Sequence, residues 1–302
     1  MPRPSPVHFF LQSLKSEALY ADEIVNVFLL RPLAAAIVWL LYPTRITPNQ
    51  VTMFAIAVGC CAAAVYLVGD PGAIAVAGIL ALMKDILDDA DGQLARAKEQ
   101  YSRRGRFIDS IGDFIVDVAI FSAITAVVYR QTQSPFTIVL GVASFFGTTL
   151  RVSYHVFYQA SFLHLQDKYK LNRIIEEVTD EDRKGDPIAL KLQIVFNSLY
   201  MWQDRLMSAI DRWSARDLPR NDQGERWYGD LIGLRISGLL GFGTEFIVLM
   251  VCSLSNWLHG YLYVNVLAFN AVWLASIAYR RYVLSLRIPR MGGGSGTSGN
   301  ER

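Results

Sequence analysis

Six apolar stretches, each about twenty residues long or longer, constrain this sequence more than any other feature. A stretch of this length spans the hydrocarbon core of a bilayer as an α-helix, because only a helix satisfies its own backbone hydrogen bonds there. Hydrophobic residues make up 52% of the 302-residue chain, as expected of a membrane protein. The sequence therefore predicts an all-α integral membrane protein with six transmembrane helices, at about residues 49–69, 72–92, 107–129, 135–162, 230–257 and 261–284.

The remaining segments are polar or only partly apolar. Residues 24–42 are apolar but contain Arg31-Pro32, which favours an amphipathic helix lying in the membrane interface over a span. Within a charged insert, Leu192 to Trp213 has apolar residues at helical spacing, which predicts an amphipathic helix on the membrane surface or against the ends of the spans. The predicted divisions are residues 1–48 (N-terminal segment), 49–162 (spans one to four), 163–229 (cytoplasmic insert), 230–285 (spans five and six) and 286–302 (flexible tail).

The distribution of lysine and arginine predicts the orientation. The net charge is only +2, which gives no indication of nucleic-acid binding. Basic residues concentrate after spans two and six and in the insert, whereas the other connections contain few. By the positive-inside rule, both termini, the insert and the connection between spans two and three lie on the cytoplasmic side of the cytoplasmic (inner) membrane.

Four carboxylates lie where the second span ends and the third begins. Asp88 and Asp91 are three residues apart, and Asp109 and Asp113 are four apart, so each pair projects from one face of a helix. Carboxylates brought together at such a site repel one another unless cations neutralise them. Ligands that are all oxygen favour hard divalent ions such as Mg²⁺, Mn²⁺ or Ca²⁺.

Other interpretations of these carboxylates are weaker. A calcium-binding loop requires aspartate five residues before Gly92, where this chain has Leu87. A cation transporter also uses intramembrane carboxylates, but it places them near the middle of the bilayer on broken helices. Purely structural carboxylates would be costly at a membrane interface.

The spacing D-x-x-D-G-x-x-A-R, followed after eight residues by G-x-x-x-D-x-x-x-D, resembles the signature of the CDP-alcohol phosphotransferase family. All eight signature positions are filled, by Asp88, Asp91, Gly92, Ala95, Arg96, Gly105, Asp109 and Asp113. The resemblance implies a transferase of phospholipid synthesis in which an acceptor hydroxyl displaces CMP from a CDP-alcohol. It also implies two divalent ions, Mg²⁺ or Mn²⁺, and a homodimer.

The resemblance further implies roles for individual residues. Asp88, Asp91, Asp109 and Asp113 would be metal ligands, and Asp113 would also be the general base for the acceptor hydroxyl. The residues implied to bind the CDP-alcohol are Asn49, Thr52, Gly92, Ala95, Arg96 and Gly105. Gly92 and Ala95 would let the nucleotide approach the helix backbone, Arg96 would pair with a phosphate or a carboxylate, and Gly105 would allow the turn into span three.

The candidates for binding the acceptor are Arg151 and Arg235. Arg151 and Arg235 lie in the cytoplasmic thirds of their spans, where an arginine faces an anion or reaches to the interface. Glu245 lies near the middle of its span, which favours an interhelical hydrogen bond over catalysis. Ser237 and Gly241 have the small-x-x-x-small spacing that permits close helix contact.

We expect CDP-diacylglycerol to be the donor. Two alternatives remain from the sequence, a CDP-choline or CDP-ethanolamine phosphotransferase with a lipid acceptor, which the segment Thr47 to Thr52 also resembles, and a cation transporter.

The predicted orientation can be tested with protease. Because the insert is expected on the cytoplasmic side, protease added to intact cells should leave residues 163–229 uncut and should cleave them only after permeabilisation. Fragment sizes on a blot measure this. Cleavage of the insert in intact cells would contradict the six-span orientation.

Overall fold

The computed structural model describes residues 5–16, 21–165, 176–215 and 224–287, and within these ranges the regular structure is entirely helical. The all-α prediction is therefore confirmed, while the tail predicted to be flexible lies almost wholly outside the described residues. The helices are α1 (Pro6–Ser16), α2 (Asn26–Leu41), α3 (Pro48–Tyr66), α4 (Pro71–Lys98), α5 (Arg103–Thr132), α6 (Phe136–Leu165), α7 (Asp180–Lys184), α8 (Pro187–Ser214), α9 (Gly224–Tyr228), α10 (Leu231–Leu254) and α11 (Leu258–Leu284).

Among the described residues, five helices are long and apolar enough to cross a membrane: α3, α5, α6, α10 and α11. Helix α4 corresponds to the expected second span and has 28 residues, but Lys84, Asp85 and Asp88 interrupt its apolar sequence. Lys84 and Asp85 are buried against neighbouring helices. Lys84 and Asp85 of α4 therefore lie inside the bundle. Helix α4, which was expected to be the second span, thus differs in composition from the five helices named above.

The core of the bundle is formed by α3, α4 and α5. Helix α3 packs against both α4 and α5, and α10 packs on another side of α4. At Gly59 of α3, an added Cβ would collide with Val116 of α5 and would lie 3.2 Å from Lys84 Cγ of α4. The absence of a side chain at Gly59 thus allows the three helices to approach closely.

Local signals explain where these helices begin. Thr47 caps α3 in a reciprocal pair with Gln50, and Pro48 occupies the first helical position. Asp70 caps α4 through the amides of Gly72 and Ala73. Gly69 has φ of 85°, a left-handed conformation that lets the chain reverse between α3 and α4.

The connection between α4 and α5 is shorter than predicted. Residues 93–106 were expected to form a basic connection, but only residues 99–102 connect the helices. Gln93 and Leu94 are buried, so packing extends α4 beyond the signature aspartates. The helix ends where Glu99 adopts φ of 56°, and Ser102 then caps α5 by accepting a hydrogen bond from the Gly105 amide.

Helix α2 stays helical through Arg31 and Pro32, although the type of helix changes there. A π-helical turn over Asn26–Leu30 precedes Arg31, so Pro32 stands at the start of a new α-helical segment, where its missing N–H has no cost. Arg31 is buried and forms a 2.5 Å ion pair with Asp22. The helix expected over residues 24–42 is therefore present, with an internal carboxylate neutralising Arg31; whether α2 lies in the interface stays a prediction.

Helix α10 is broken in its first half. Gly238–Leu240 form a 3₁₀ turn and Gly241 is extended. The Glu23 carboxylate lies where a Cβ on Gly241 would be, and it accepts a 3.1 Å hydrogen bond from the Thr244 amide. The small residues Ser237 and Gly241 thus permit a close contact, as predicted, but the contact is within this chain, with His155 and Glu23.

The insert contains one long helix, α8, which packs on α5 and α6. The buried face of α8 includes Gln193, Gln203, Met207 and Asp211, which are mostly polar. Most of the apolar residues that predicted this helix are exposed instead, among them Val195, Trp202 and Trp213. The predicted helix is present, but it meets the spans with a different face.

Candidate metal centre and active site

Three of the four signature aspartates converge in the structure. One carboxylate oxygen from each of Asp88, Asp91 and Asp109 lies within 4.8 Å of the other two. The second half of α4 provides the first two, and the second turn of α5 provides the third. Helix α3 packs against both α4 and α5, and this arrangement brings together carboxylates that lie about twenty residues apart in the sequence.

A hydrogen bond from α3 holds Asp91 in place. The Thr52 hydroxyl donates to Asp91 Oδ2 at 2.5 Å, and both side chains are buried. Thr52 was predicted to contact the CDP-alcohol. In the structure its hydroxyl orients a carboxylate of the cluster.

The fourth signature aspartate, Asp113, pairs with a lysine. Lys84 Nζ of α4 lies 2.5 Å from Asp113 Oδ1, and the two side chains are 3% and 19% exposed. Sequence analysis did not identify Lys84. The sequence does place this lysine inside an apolar stretch, one helical turn before Asp88. An unpaired ammonium would be costly there, which indicates a carboxylate partner.

The two signature glycines lie beneath polar side chains. The Arg96 guanidinium lies over Gly92, with Nη1 3.6 Å from the position of an added Cβ. The Asn49 side chain covers Gly105, with Cγ 3.3 Å from the corresponding position. Gly105 was expected to form the turn into span three, but it lies inside α5, because the helix begins at Arg103. Its role in the structure is to make room for Asn49.

The cluster fits a hard divalent cation. All three side chains offer carboxylate oxygens, the ligand type preferred by Mg²⁺ and Mn²⁺. Asp109 Oδ1 is buried and has no hydrogen-bond partner among the described residues. An uncompensated carboxylate oxygen in such a position is costly unless a cation approaches it.

The insert reaches the same end of α5. The Tyr200 hydroxyl of α8 donates a 2.8 Å hydrogen bond to the Ser110 carbonyl, between Asp109 and Asp113. The rings of Phe196 and Phe107 pack with centroids 5.4 Å apart. Sequence analysis assigned no site role to the insert, because nothing in the spacing along α8 shows which helix it contacts.

The arginines before the second aspartate pair also contact the insert. Arg103 pairs with Asp182 and Glu176, and Arg106 pairs with Glu176. Arg104 pairs with Asp186 and, through this hydrogen bond, holds the pKa of the Asp186 carboxyl below its usual value. The insert therefore holds the start of α5 through ion pairs as well as through packing.

Arg151, predicted for the acceptor site, belongs to a buried polar network between α6, α10 and α11. Its side chain is 1% exposed, and Nη2 lies 3.3 Å from Glu245 Oε2. Glu245 Oε1 accepts 2.5 Å hydrogen bonds from Tyr261 and Asn265, which confirms the predicted interhelical role of Glu245. Arg151 also donates to Thr148 and Asn270, so its guanidinium is occupied by the protein.

Arg235, the second residue predicted for the acceptor site, is half-buried on α10, three residues before the broken segment begins at Gly238. Ala95 is half-buried on α4, one turn before the end of the helix.

The fold and the site together define a helical membrane protein with a cluster of carboxylates contributed by two of its helices. The sequence model of CDP-alcohol phosphatidyltransferase matches residues 45–215, more than half of the chain and the whole of the carboxylate centre. The chain therefore belongs to the CDP-alcohol phosphatidyltransferase family, and the suspected resemblance is confirmed.

Two curated relatives share part of this sequence. A bifunctional IPC transferase and DIPP synthase of Archaeoglobus fulgidus is 35% identical over 110 residues, which are 36% of this chain and 20% of the relative. A protein of the same name from Thermococcus kodakarensis is 36% identical over 110 residues, or 36% of this chain and 24% of the relative. The similarity thus spans about a quarter or less of each relative.

Removing one carboxylate of the cluster tests its function. We expect Asp88→Asn, Asp91→Asn and Asp109→Asn each to lower turnover by more than about a hundredfold, because each loses a cation ligand. CMP release at saturating Mg²⁺ measures this. Asp70→Asn, which changes a carboxylate at the other end of α4, is the matched control and should retain turnover. A near-normal rate in any of the three variants would remove that residue from the ligand set.

The Arg151–Glu245 pair can be tested by a double-mutant cycle. Arg151→Met leaves a buried carboxylate and Glu245→Gln leaves a buried guanidinium, so each should destabilise the protein by about 3 kcal/mol. The double variant should recover most of that stability in thermal unfolding in detergent. If its stability recovers but its apparent KM for the acceptor rises strongly, Arg151 contacts the acceptor and its role is not only structural.

Proposed function

We propose that this protein is a phosphotransferase that displaces CMP from CDP-diacylglycerol with the hydroxyl group of an acceptor. The observation that supports this most is the cluster of Asp88, Asp91 and Asp109, next to the two glycines of the family signature. Membership of the CDP-alcohol phosphatidyltransferase family supports the same reaction class.

The cluster is proposed to hold Mg²⁺ or Mn²⁺, with two ions in the complete site. Divalent ions, when bound, neutralise the negative charge on the phosphate oxygens of the donor. Asp88, Asp91 and Asp109 would hold them, with Asp113 as a further ligand. The Thr52 hydroxyl keeps Asp91 oriented for this purpose.

The CDP-alcohol is proposed to bind where α3, α4 and α5 meet. Arg96 over Gly92 offers a guanidinium to the diphosphate, and Asn49 over Gly105 offers an amide. Ala95, one turn from Gly92 along α4, adds a second small residue to the surface that the nucleotide would approach. Moving the Arg96 and Asn49 side chains would expose backbone that a nucleotide can approach closely.

Asp113 is proposed to be the general base. It accepts the proton of the acceptor hydroxyl while the hydroxyl oxygen forms a bond to the phosphorus next to the donor alcohol. The bond from that phosphorus to the CMP oxygen breaks, and CMP leaves with the electron pair. Lys84 holds the Asp113 carboxylate in position through its 2.5 Å ion pair.

The acceptor is proposed to approach from the side of Arg235 and Arg151. Arg235 suits a phosphate-bearing acceptor, because it is half-buried next to the broken segment of α10. The network around Arg151 leaves it less suited to the same task, since Glu245, Thr148 and Asn270 already contact its guanidinium.

We propose that α4 is the sixth span, with both termini, the insert and the carboxylate cluster on the cytoplasmic side. The basic connections support this orientation, and the cytoplasm is where CDP-alcohols and CMP occur. The working form is proposed to be a homodimer, on family likeness alone.

Two other functions remain as outcomes of the experiment. A CDP-choline or CDP-ethanolamine phosphotransferase would use the same cluster with a different donor. A cation transporter would bind its ion at the cluster without releasing CMP, and it would place the cluster on broken helices, whereas α4 and α5 run unbroken past these carboxylates.

A donor and acceptor panel tests the proposal. Purified protein with Mg²⁺ should release CMP from CDP-diacylglycerol when supplied with one of glycerol phosphate, inositol phosphate, serine or inositol, and Asp91→Asn should release none. If the acceptor has a phosphate group, Arg235→Gln should raise the apparent KM for the acceptor by about tenfold or more and leave the KM for the donor unchanged. Arg235→Lys should recover part of the loss.

CMP release only from CDP-choline or CDP-ethanolamine would identify the alternative donor class. Absence of CMP release from every donor, combined with Mg²⁺-dependent ion flux in vesicles, would contradict the proposal and favour a transporter.

A further inference from the structure

Helix α8 has three faces of different chemistry. At 100° per residue, its protein face centres on the buried side chains of Gln203, Met207 and Asp211. About a quarter turn away lies an apolar face formed by Ile188, Leu192, Val195, Leu199, Trp202, Leu206, Ile210 and Trp213, most of which are exposed. Beyond the apolar face lie the exposed basic residues Lys191, Arg205 and Arg212.

This order of faces matches a helix at a membrane boundary. A helix beside a bundle has the bundle on one side, acyl chains below, headgroups on the far side and water above. Asn197 lies nine residues before Leu206 and therefore on the opposite face of α8, where water is expected. The face that contacts water thus carries a polar side chain, and the face pointing away from it is apolar.

The position of α8 along the axes of α5 and α6 also agrees with a helix at the membrane boundary. Helices α5 and α6 each have 30 residues, about 45 Å of helix, whereas the hydrocarbon core is about 30 Å thick. About ten residues of each therefore extend beyond the core. Tyr200 of α8 bonds to the Ser110 carbonyl, eight residues into α5, and Gln203 bonds to Ser153, twelve residues before the end of α6. Helix α8 thus lies near the boundary between hydrocarbon and headgroups.

The charge of the exposed side chains of α8 favours an anionic partner. The exposed charged residues of α8 are all basic, because Asp211 is buried and Asp204 is half-buried. Basic residues flanking an apolar face bind anionic lipid surfaces more tightly than neutral ones. A second copy of this chain would bring the same three positive charges against its own surface.

We propose that the apolar and basic faces of α8 dock on the anionic lipid surface of the leaflet nearest the carboxylate cluster. The proposal rests on α5 and α6 spanning the membrane and not on the chemistry of the site. Through Tyr200 and Phe196, which contact Ser110 and Phe107, this docking fixes the start of α5, where Asp109 lies.

Spin labels on opposite faces of α8 test the docking. The full chain, with Cys60, Cys61 and Cys252 replaced by alanine, receives a label at Leu206→Cys or, as the matched control, at Asn197→Cys. In vesicles of phosphatidylcholine and phosphatidylglycerol, the label at position 206 should collide with oxygen more often than with a water-soluble nickel chelate. The label at position 197 should show the reverse order.

Two outcomes would overturn the proposal. Equal access of the nickel chelate to positions 206 and 197 would show that the apolar face lies in water. Shielding of position 206 from both reagents would show that protein, such as a second copy, covers it. Neither readout uses turnover, so failure of the proposed transferase reaction would leave this result unaffected.

Lipid charge provides a second measurement that needs no cysteine replacement. Brominated phosphatidylglycerol should quench the tryptophan fluorescence of the natural chain more than that of Trp202→Phe. Lys191→Gln/Arg205→Gln/Arg212→Gln should lose most of this difference, whereas Arg183→Gln/Lys184→Gln, which removes exposed charge from α7, should retain it. Equal quenching of the natural chain and Trp202→Phe would contradict docking through this face.

Discussion

The repulsion among Asp88, Asp91 and Asp109 is the interaction on which the rest of the structure depends. Two unit charges about 4 Å apart repel by about 4 kcal/mol at an effective dielectric constant of about 20, and here three carboxylates share one small volume. Only rigid packing of α3, α4 and α5 holds them there. Gly59 permits this packing by letting α5 and Lys84 approach α3. The cluster is thus a local electrostatic cost that the helical core offsets.

Each carboxylate of the signature has a different polar environment. Lys84 compensates Asp113, and the Thr52 hydroxyl orients Asp91, while Asp109 keeps an uncompensated oxygen. The carboxylates are therefore not equivalent, although their spacing in the sequence is regular. This asymmetry suits a reaction in which some carboxylates hold cations and another accepts a proton.

The insert joins the site to the outside of the bundle. Its acidic residues pair with the arginines at the start of α5, and Tyr200 reaches the backbone between Asp109 and Asp113. A displacement of α8 would therefore move the second half of the signature relative to the first. This arrangement explains why a segment without signature residues belongs to the functional unit.

Much of this architecture was predictable, and the errors share one physical origin. Helix periodicity and caps such as Thr47 depend on neighbours in the sequence, so the helices and the two aspartate pairs followed from local patterns. The extension of α4 to Lys98 depended on burial of Leu94, and the burial of Arg31 in α2 depended on Asp22. For α8, apolar periodicity identified the helix but not the face that meets the bundle, since membrane lipid and protein both favour apolar contact.

The sequence by itself determined the helical membrane class, the carboxylate cluster and the family, because each follows from the spacing of residues close together in the chain. Only the tertiary structure decided which partner each buried charge takes, as in Lys84 with Asp113 and Arg151 with Glu245. Such pairs join residues 29 and 94 positions apart, and their choice depends on the relative rotation and depth of whole helices. Rotation and depth result from packing summed over many contacts, which no local pattern contains.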